Sequence, residues 1–463
     1  MSFQFRPHQE THVKKGIEFF TQKKHPLPQI IVSPTGGGKS FDIAGIAAGV
    51  QKIDTSPILV LQPKVELLMQ NVGKYESFGF AASVYCAGAN NRKEIGFVTY
   101  ATLDSIMANI KDFVNAGFKN IIVDECDSGY PSEAGSMFDK LLKALESKGA
   151  KVRLLGFTAT PFRTVPSISG TRIMMLNRVR PAIFKGGFLH ITQIKEIADK
   201  YWSPLEYVVK KFDGSMLKVN STGTEYTDAS LENFEKSNFQ NIYNACIDMR
   251  FNHVLCFMKS IKQCELMQRA VPNSAIVSAK TPQKEREQIV NDFKTGKKRV
   301  LINVGVFKVG FDFPELDHII PPATNSLSMW YQIVGRGVRI PTENTWYTNY
   351  SHCTVTDVCG MYDKFGRVED IEIRLEGKYH EVFCKGKQVT SIEVKNAFYS
   401  APVANSDVSQ FEDLVLDFGK FPGKKISELP QWYLEGLSKM TFNRKVLVFA
   451  KQANIYLQIK SLK

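Results

Sequence analysis

The chain has 463 residues, a formal net charge of +13, and 43% hydrophobic residues. That is enough apolar material for about three domains, and no stretch approaches the ~20 apolar residues of a membrane-spanning helix. The basic excess favours a polyanionic partner, most often nucleic acid, although solubility alone also accounts for it.

In chain order, "PQIIVSPTGGGKS" reads as a strand and a loop, with helical "FDIAGIAAGV" behind it. "PILVLQP" is a strand followed by helical "KVELLMQNVGKYESFG". "EIGFVTY" is a strand before "ATLDSIMANI", and "NIIVDE" and "VRLLGFTAT" are two more. Short apolar strands separated by helices indicate a parallel sheet covered on both faces. Residues 206–238 break the rhythm with polar, turn-forming "FDGSMLKVNSTGTEYTDAS", read as a connection. The alternation restarts in "HVLCFM", "SAIVSA", "RVLINVGV" and "HIIPPA".

The expected fold class is therefore α/β, with two parallel-sheet lobes in tandem at 1–205 and 239–365. Residues 366–402 alternate apolar and polar, with turns at "EGK" and "CKGK", and read as an antiparallel β meander. Residues 403–463 mix aromatics with lysines and read as an accessory module.

Eight cysteines are scattered without a C-x-x-C pair. That favours a reducing compartment over a disulfide framework or a paired-cysteine zinc site. Cys353, Cys359, Cys384 and His352 fit no zinc spacing well and read as buried or incidental. The polar N-terminus "MSFQFRPHQE" lacks the apolar core of a signal peptide. A cytoplasmic protein away from membranes is the expectation; nothing in the sequence sets an oligomeric state.

Two motifs carry chemistry. "SPTGGGKS" at 33–40 is a relaxed G-x-x-x-x-G-K-[ST] form: Thr35, Gly36, Gly37, Gly38, Lys39, Ser40. Glycines let the backbone wrap a phosphate, and the following helix offers its positive end. Lys39 would reach the β and γ phosphates of ATP, and the Ser40 hydroxyl would ligate Mg²⁺. The competing account is a glycine-rich turn with an incidental lysine. The second motif is "IIVDECDSGY" at 121–130, where carboxylates end an apolar strand. Alone, these acids could cap a turn, hold a structural cation, or be solvated. Beside a Mg²⁺-nucleotide at the carboxyl ends of the strands, Asp124 would hold the metal shell and Glu125 would deprotonate the attacking water.

These segments resemble superfamily 2 helicases. "SPTGGGKS" resembles motif I, "DECD" motif II, "TAT" at 158–160 motif III, "NVGVFKVGFD" at 303–312 motif V, and "QIVGRGVR" at 332–339 motif VI. "RPHQ", "LLGFTATPFR" and "YQIVGRGVRI" are similar to RadD-type and phage UvsW-like branch-migration helicases. The resemblance implies two RecA-like lobes with ATP between them and Arg6 and Gln9 reading adenine. It implies Gln332, Arg336 and Arg339 acting from the second lobe, Gly310 and Asp312 closing on the nucleotide, and Thr158 and Thr160 coupling hydrolysis to lobe movement. The arginine pair would equally suit DNA phosphates. The implied nucleic-acid contacts are Gln62, Pro63, Lys64, Thr99, Lys259, Ser260, Asn303 and Val304, each also an ordinary strand-end residue.

Asp127 stands where this DNA group usually has His. "DECD" looks instead like a DEAD-box RNA helicase, while "TAT" and the Gln332-led motif side with the DNA group. Asp127 is thus read as a substituted coupling residue. No equivalent of the RadD zinc segment is present. The function implied is an ATP-dependent helicase or translocase on single-stranded, forked or branched DNA, running 3′ to 5′. The rivals are an RNA helicase and a nucleotide-switched binding protein that unwinds nothing. In the tail, Phe418, Phe421, Trp432 and Tyr433 interleave with Lys420, Lys424 and Lys425. That pattern suits base stacking and phosphate contact or a small aromatic core with a basic rim.

Overall fold

The structure, a computed structural model, describes residues 4–127, 135–147, 149, 151–167, 170–179, 182–220, 224–306, 311–340, 353–390, 421, 423–425 and 428–438. Short apolar runs build two parallel sheets. The first takes β1 (Gln29–Val32), β2 (Ile58–Leu61), β3 (Ser83–Cys86), β4 (Arg92–Lys93), β5 (Val98–Ala101), β6 (Asn120–Val123), β7 (Arg153–Thr158) and β10 (Phe188–Ile191). A separate hairpin joins β8 (Phe162–Ser167) to β9 (Gly170–Met175). The sheet order is β10-β1-β7-β6-β2-β5-β3-β4, parallel throughout except between β3 and β4.

Successive strand residues feed opposite faces, as the two-residue period requires. Ile30, Val32, Leu59 and Leu61 enter one core with Phe113, Phe138 and Leu141. Ile31, Ile58 and Val60 enter the other with Phe19, Ile43 and Leu68. A sheet buried on both faces leaves its strand ends as the places where polar groups can gather.

The second sheet takes β11 (Leu205–Val209), β12 (Val254–Met258), β13 (Ser274–Ser278), β14 (Val300–Val304), β15 (His318–Ile320) and β16 (Cys353–Asp357). Its order is β11-β16-β15-β12-β14-β13, parallel throughout. Two RecA-like lobes in tandem result. Residues 206–209 were read as connection, yet they pair with β16 as the edge of the second sheet. "LEYVV" is β-branched and aromatic, so it extends a sheet before the polar stretch begins. Asp228–Ser237, also inside the expected connection, is a helix capped by Thr227 whose Leu231 and Phe234 are buried.

The meander of β17 (Glu372–Glu376), β18 (Tyr379–Cys384) and β19 (Lys387–Gln388) is antiparallel. It follows the second lobe in sequence but docks on the first. Arg178 donates twice to Glu381, at 2.8 and 2.7 Å, and the Gln193 amide exchanges two hydrogen bonds with the Ile373 backbone. Just upstream, Trp330 and Tyr207 of the second lobe bond Gly366 and Glu369.

Of the tail residues singled out, Phe418 and Lys420 lie outside the described residues; the rings of Phe421, Trp432 and Tyr433 pack edge to face. All eight cysteines are buried free thiols, and His352 lies outside the described residues. No helix among the described residues is long and apolar enough to cross a membrane.

Candidate active site

The chain leaves β1 at Val32 and enters the loop Ser33–Gly38 before the helix Lys39–Gln51. Gly36 and Gly38 have φ of +76° and +90°, which other residues adopt only with strain. Close approach forbids a side chain as well: a Cβ on Gly38 would lie 2.5 Å from Gln9 Nε2. The loop, the first turn of that helix and the second lobe enclose a cavity of about 390 Å³.

At the end of β6, Asp124 and Glu125 turn toward this loop. Lys39 Nζ lies 2.8 Å from Asp124 Oδ1 and 2.5 Å from Glu125 Oε1. Glu125 takes φ of +49°, a left-handed conformation costing about 1–2 kcal/mol for a non-glycine residue. Asn71 Nδ2 donates to Asp124 Oδ2 at 3.2 Å. Burial works to lower the Lys39 pKa, but Asp124 and Glu125 outweigh it and hold the ammonium protonated well above the usual range. Burial pushes the Glu125 carboxyl up, with Lys39 opposing. One lysine bonds two acids, so their remaining oxygens can meet a further cation.

The second lobe supplies the opposite wall. The helix Leu327–Val334 is capped by Ser326 and delivers Arg336 and Arg339 just past its end. Arg336 donates to the carbonyls of Gln332 at 3.2 Å and Phe311 at 2.9 Å; burial and the nearby Arg339 bring its pKa down to about 10. Arg339 Nε bonds Asp312 Oδ1 at 2.6 Å. Its Nη1 is buried and has no hydrogen-bond partner among the described residues, 3.2 Å from where a Cβ on Gly36 would sit. An unsatisfied guanidinium nitrogen over a phosphate-type loop is suited to an anion.

Beneath the acids, Asp127 accepts from Thr158 Oγ1 at 2.7 Å and Thr160 Oγ1 at 2.8 Å. Burial raises the Asp127 pKa while the two hydroxyls oppose that rise. Thr160 Oγ1 in turn accepts from Ser328 at 2.9 Å and Gln332 at 3.4 Å, both on the second-lobe helix. A buried hydrogen-bond chain thus joins the acid cluster of one lobe to the arginine helix of the other.

Other expected residues are placed differently. Arg6 lines the cavity, with its guanidinium 4.0 Å above the Tyr201 ring and Nη1 on Gly36 O at 2.9 Å. Gln9 is turned behind the loop, with Nε2 on Gly38 O at 3.2 Å and Oε1 accepting from Arg6 N. Both ends of the Gln9 amide are thus committed to backbone rather than open to a base. Gly310 lies outside the described residues.

The expected nucleic-acid contacts are mostly covered. Gln62, Thr99 and Asn303 are fully buried. Thr99 bonds the Gly96 backbone and Asn303 accepts from Val306 N. Lys64 Nζ crosses to the second lobe and donates to Val306 O at 3.1 Å. The backbone N–H groups of Lys259 and Ser260 both donate to the Glu235 carboxylate. These side chains lie in or just past the strands, where local backbone bonding is available. Pro63 and Val304 are half-buried.

Sequence reading missed His8, whose Nε2 donates to Gly37 O at 2.7 Å, and with it Asn71, Tyr201, Trp202, Ser328 and Tyr331. Polar or aromatic residues on otherwise apolar helix faces were the available signal for several of them.

A Mg²⁺-nucleotide fits the residues present. Ser40 and Asp124 both line the cavity and give a hydroxyl and a carboxylate, oxygen donors suited to a hard cation that keeps several waters. The glycine loop, Lys39 and the unpartnered Arg339 nitrogen suit phosphates.

The family comparisons divide the chain in the same way. A family model described as "Type III restriction enzyme, res subunit" matches residues 2–163, and "Helicase conserved C-terminal domain" matches 237–341. The chain carries a superfamily 2 helicase core. Among relatives of this core, the putative ATP-dependent helicase IRC3 of Saccharomyces cerevisiae is 24% identical over 57% of this chain and 37% of its own. A 51.5 kDa protein of a Lactococcus phage is 26% identical over 42% of each chain. The ATP-dependent RNA helicase eIF4A of Eremothecium gossypii is 22% identical over 66% of this chain and 72% of its own. The chain thus spans less than half the length of the first two. The helicase core also resembles the fold of the ATP-dependent Type ISP restriction-modification enzyme LlaBIII bound to DNA, with a TM-score of 0.54, 14% identity, and coverage of 78% of this chain and 28% of that one.

Proposed function

We propose that this chain is an ATP-dependent helicase or translocase that moves along DNA, acting on forked or branched substrates in replication, recombination or repair. The observation that carries the reading is the Arg339 nitrogen, buried, without a hydrogen-bond partner among the described residues, and set by one lobe against the phosphate loop of the other. When bound, ATP with Mg²⁺ supplies the phosphoanhydride to be broken and a cation for the acid cluster. Lys39, held protonated, neutralises phosphate charge. Ser40 and Asp124 hold the cation. Glu125 orients the attacking water and accepts its proton. Arg336 and Arg339 stabilise charge on the transferring group. Asp127, Thr158, Thr160, Ser328 and Gln332 transmit the state of the site to the lobe interface.

The Gln332-led motif and the likeness of "RPHQ" and "YQIVGRGVRI" to RadD-type and UvsW-like helicases favour DNA and a 3′ to 5′ direction. A second reading as an RNA helicase has a specific support: Asp127 in "DECD", together with the eIF4A relative of comparable length. ATPase stimulation by single-stranded DNA and RNA, followed by unwinding on a 3′ tail, a 5′ tail, a fork and a four-way junction, tests both. Stimulation by RNA alone would overturn the DNA reading. Hydrolysis with neither strand separation nor movement along DNA would reduce the chain to a nucleotide-switched binder.

A further inference from the structure

The first lobe braces the phosphate loop at three consecutive carbonyls: Arg6 on Gly36, His8 on Gly37 and Gln9 on Gly38. The peptide at the loop's entrance is held from elsewhere. Thr35 N donates to Tyr331 Oη at 3.0 Å, and Tyr331 lies on the second-lobe helix Leu327–Val334. Thr35 O accepts from Trp202 Nε1 at 2.7 Å, and Trp202 lies just before β11, where the chain crosses between lobes.

Packing makes both contacts close. A Cβ on Gly36 would lie 2.9 Å from Trp202 Nε1, and one on Gly335 would lie 3.0 Å from Thr35 Cγ2. Ser203 N donates to Val338 O at 3.0 Å, fixing the crossing chain to the arginine segment. Phenylalanine would fill the Tyr331 space equally well, so the buried hydroxyl needs a reason beyond packing.

Resting on the reading of the cleft as an ATPase site, we propose that Tyr331 and Trp202 are positioning residues that clamp the Thr35 peptide and tie the shape of the phosphate loop to the position of the second lobe. When the lobes part, Thr35 N–H loses its acceptor and the loop relaxes. When they close, the same helix that brings Arg336 and Arg339 also fixes the loop. Trp202, on a crossing chain bonded to the arginine segment next to it, holds the loop's carbonyl side to the same lobe.

The test uses full-length Tyr331→Phe and Trp202→Phe. Hydrogen exchange at the Thr35 amide in the nucleotide-free chain reads the clamp directly. ATPase kcat and KM, measured with and without single-stranded DNA, read its consequence. Tyr331→Phe should speed Thr35 exchange about tenfold and lower the DNA-stimulated kcat by about tenfold, with KM for ATP changed less than about twofold. Trp202→Phe should instead raise KM by about fivefold or more, because the carbonyl side of the phosphate loop is no longer held. Unchanged Thr35 exchange in Tyr331→Phe overturns the clamp, and so does a kcat loss matched only by a lower melting temperature. A wild-type chain that hydrolyses no ATP would overturn the functional reading, while exchange would still decide the clamp.

Discussion

The cleft and the surface expected to carry nucleic acid differ in how their side chains are used. In the cleft, polar groups are buried and converge: Lys39 on two acids, Arg339 toward Gly36, Asp127 on two threonines. On the expected track, Gln62, Thr99 and Asn303 are buried within the sheets, and Lys64 bonds the opposite lobe. Chemistry on a phosphoryl group needs particular side chains at fixed positions. Backbone phosphates are held by any suitably placed N–H or cation, so that demand on sequence is loose.

The widest separation should come from the arginines. Arg339→Ala should cut nucleic-acid-stimulated ATPase by about 10³-fold or more, the scale of an arginine acting across a cleft. Nucleic-acid binding without nucleotide should change little. Loss of that binding with normal ATPase would move Arg339 from the cleft to the track and erase the contrast. Next, Glu125→Gln should lower turnover by about 10²–10⁴-fold while nucleotide binding persists, since shape is kept and only the base is lost. Near wild-type turnover would remove Glu125 from that role; fluorescent-nucleotide titration beside steady-state ATPase separates the two steps.

These large effects fall on residues that were legible in the sequence, and the reason is physical. The phosphate loop needs glycines where φ is positive, and a lysine and hydroxyl at the helix start, so its backbone geometry is written in residue type. The parallel sheets were legible because apolar runs such as "ILVL" have few other uses. Gln9 was not, because a glutamine beside a helix start serves a base or a backbone carbonyl equally well. Residues 206–209 were not legible as strand because a five-residue edge strand differs little from a linker until its partner β16 is in place. Tyr331 was not legible because an aromatic in an apolar helix packs as core with or without a use for its hydroxyl.

An intermediate effect should fall on the link between the regions. Thr160→Val keeps the shape but leaves Ser328 and Gln332 without their acceptor and removes one donor to Asp127. Each buried group so stranded costs about 1–3 kcal/mol. Strand separation per ATP hydrolysed should fall about tenfold or more, and hydrolysis by less. Equal losses in both would make Thr160 part of the hydrolytic cleft rather than a coupler.

The smallest effects should lie on the track itself, and there two substitutions should part company. Lys64 is half-buried and its ammonium donates to the Val306 carbonyl of the second lobe, so lobe movement changes what this charge meets. Lys64→Ala should lower the slope of log affinity against log salt by about one unit, as one lost phosphate contact predicts. Thr99 is fully buried, and its hydroxyl closes the turn at Gly96 from both sides. Thr99→Val should therefore leave affinity and salt slope unchanged while lowering thermal stability, through a loss of about 1 kcal/mol for each hydrogen bond. Binding titrations at several salt concentrations, beside thermal melts, measure both quantities. A Thr99→Val chain that melts normally but binds nucleic acid weakly would mean that the turn at Gly96 opens on binding and that Thr99 belongs to the track.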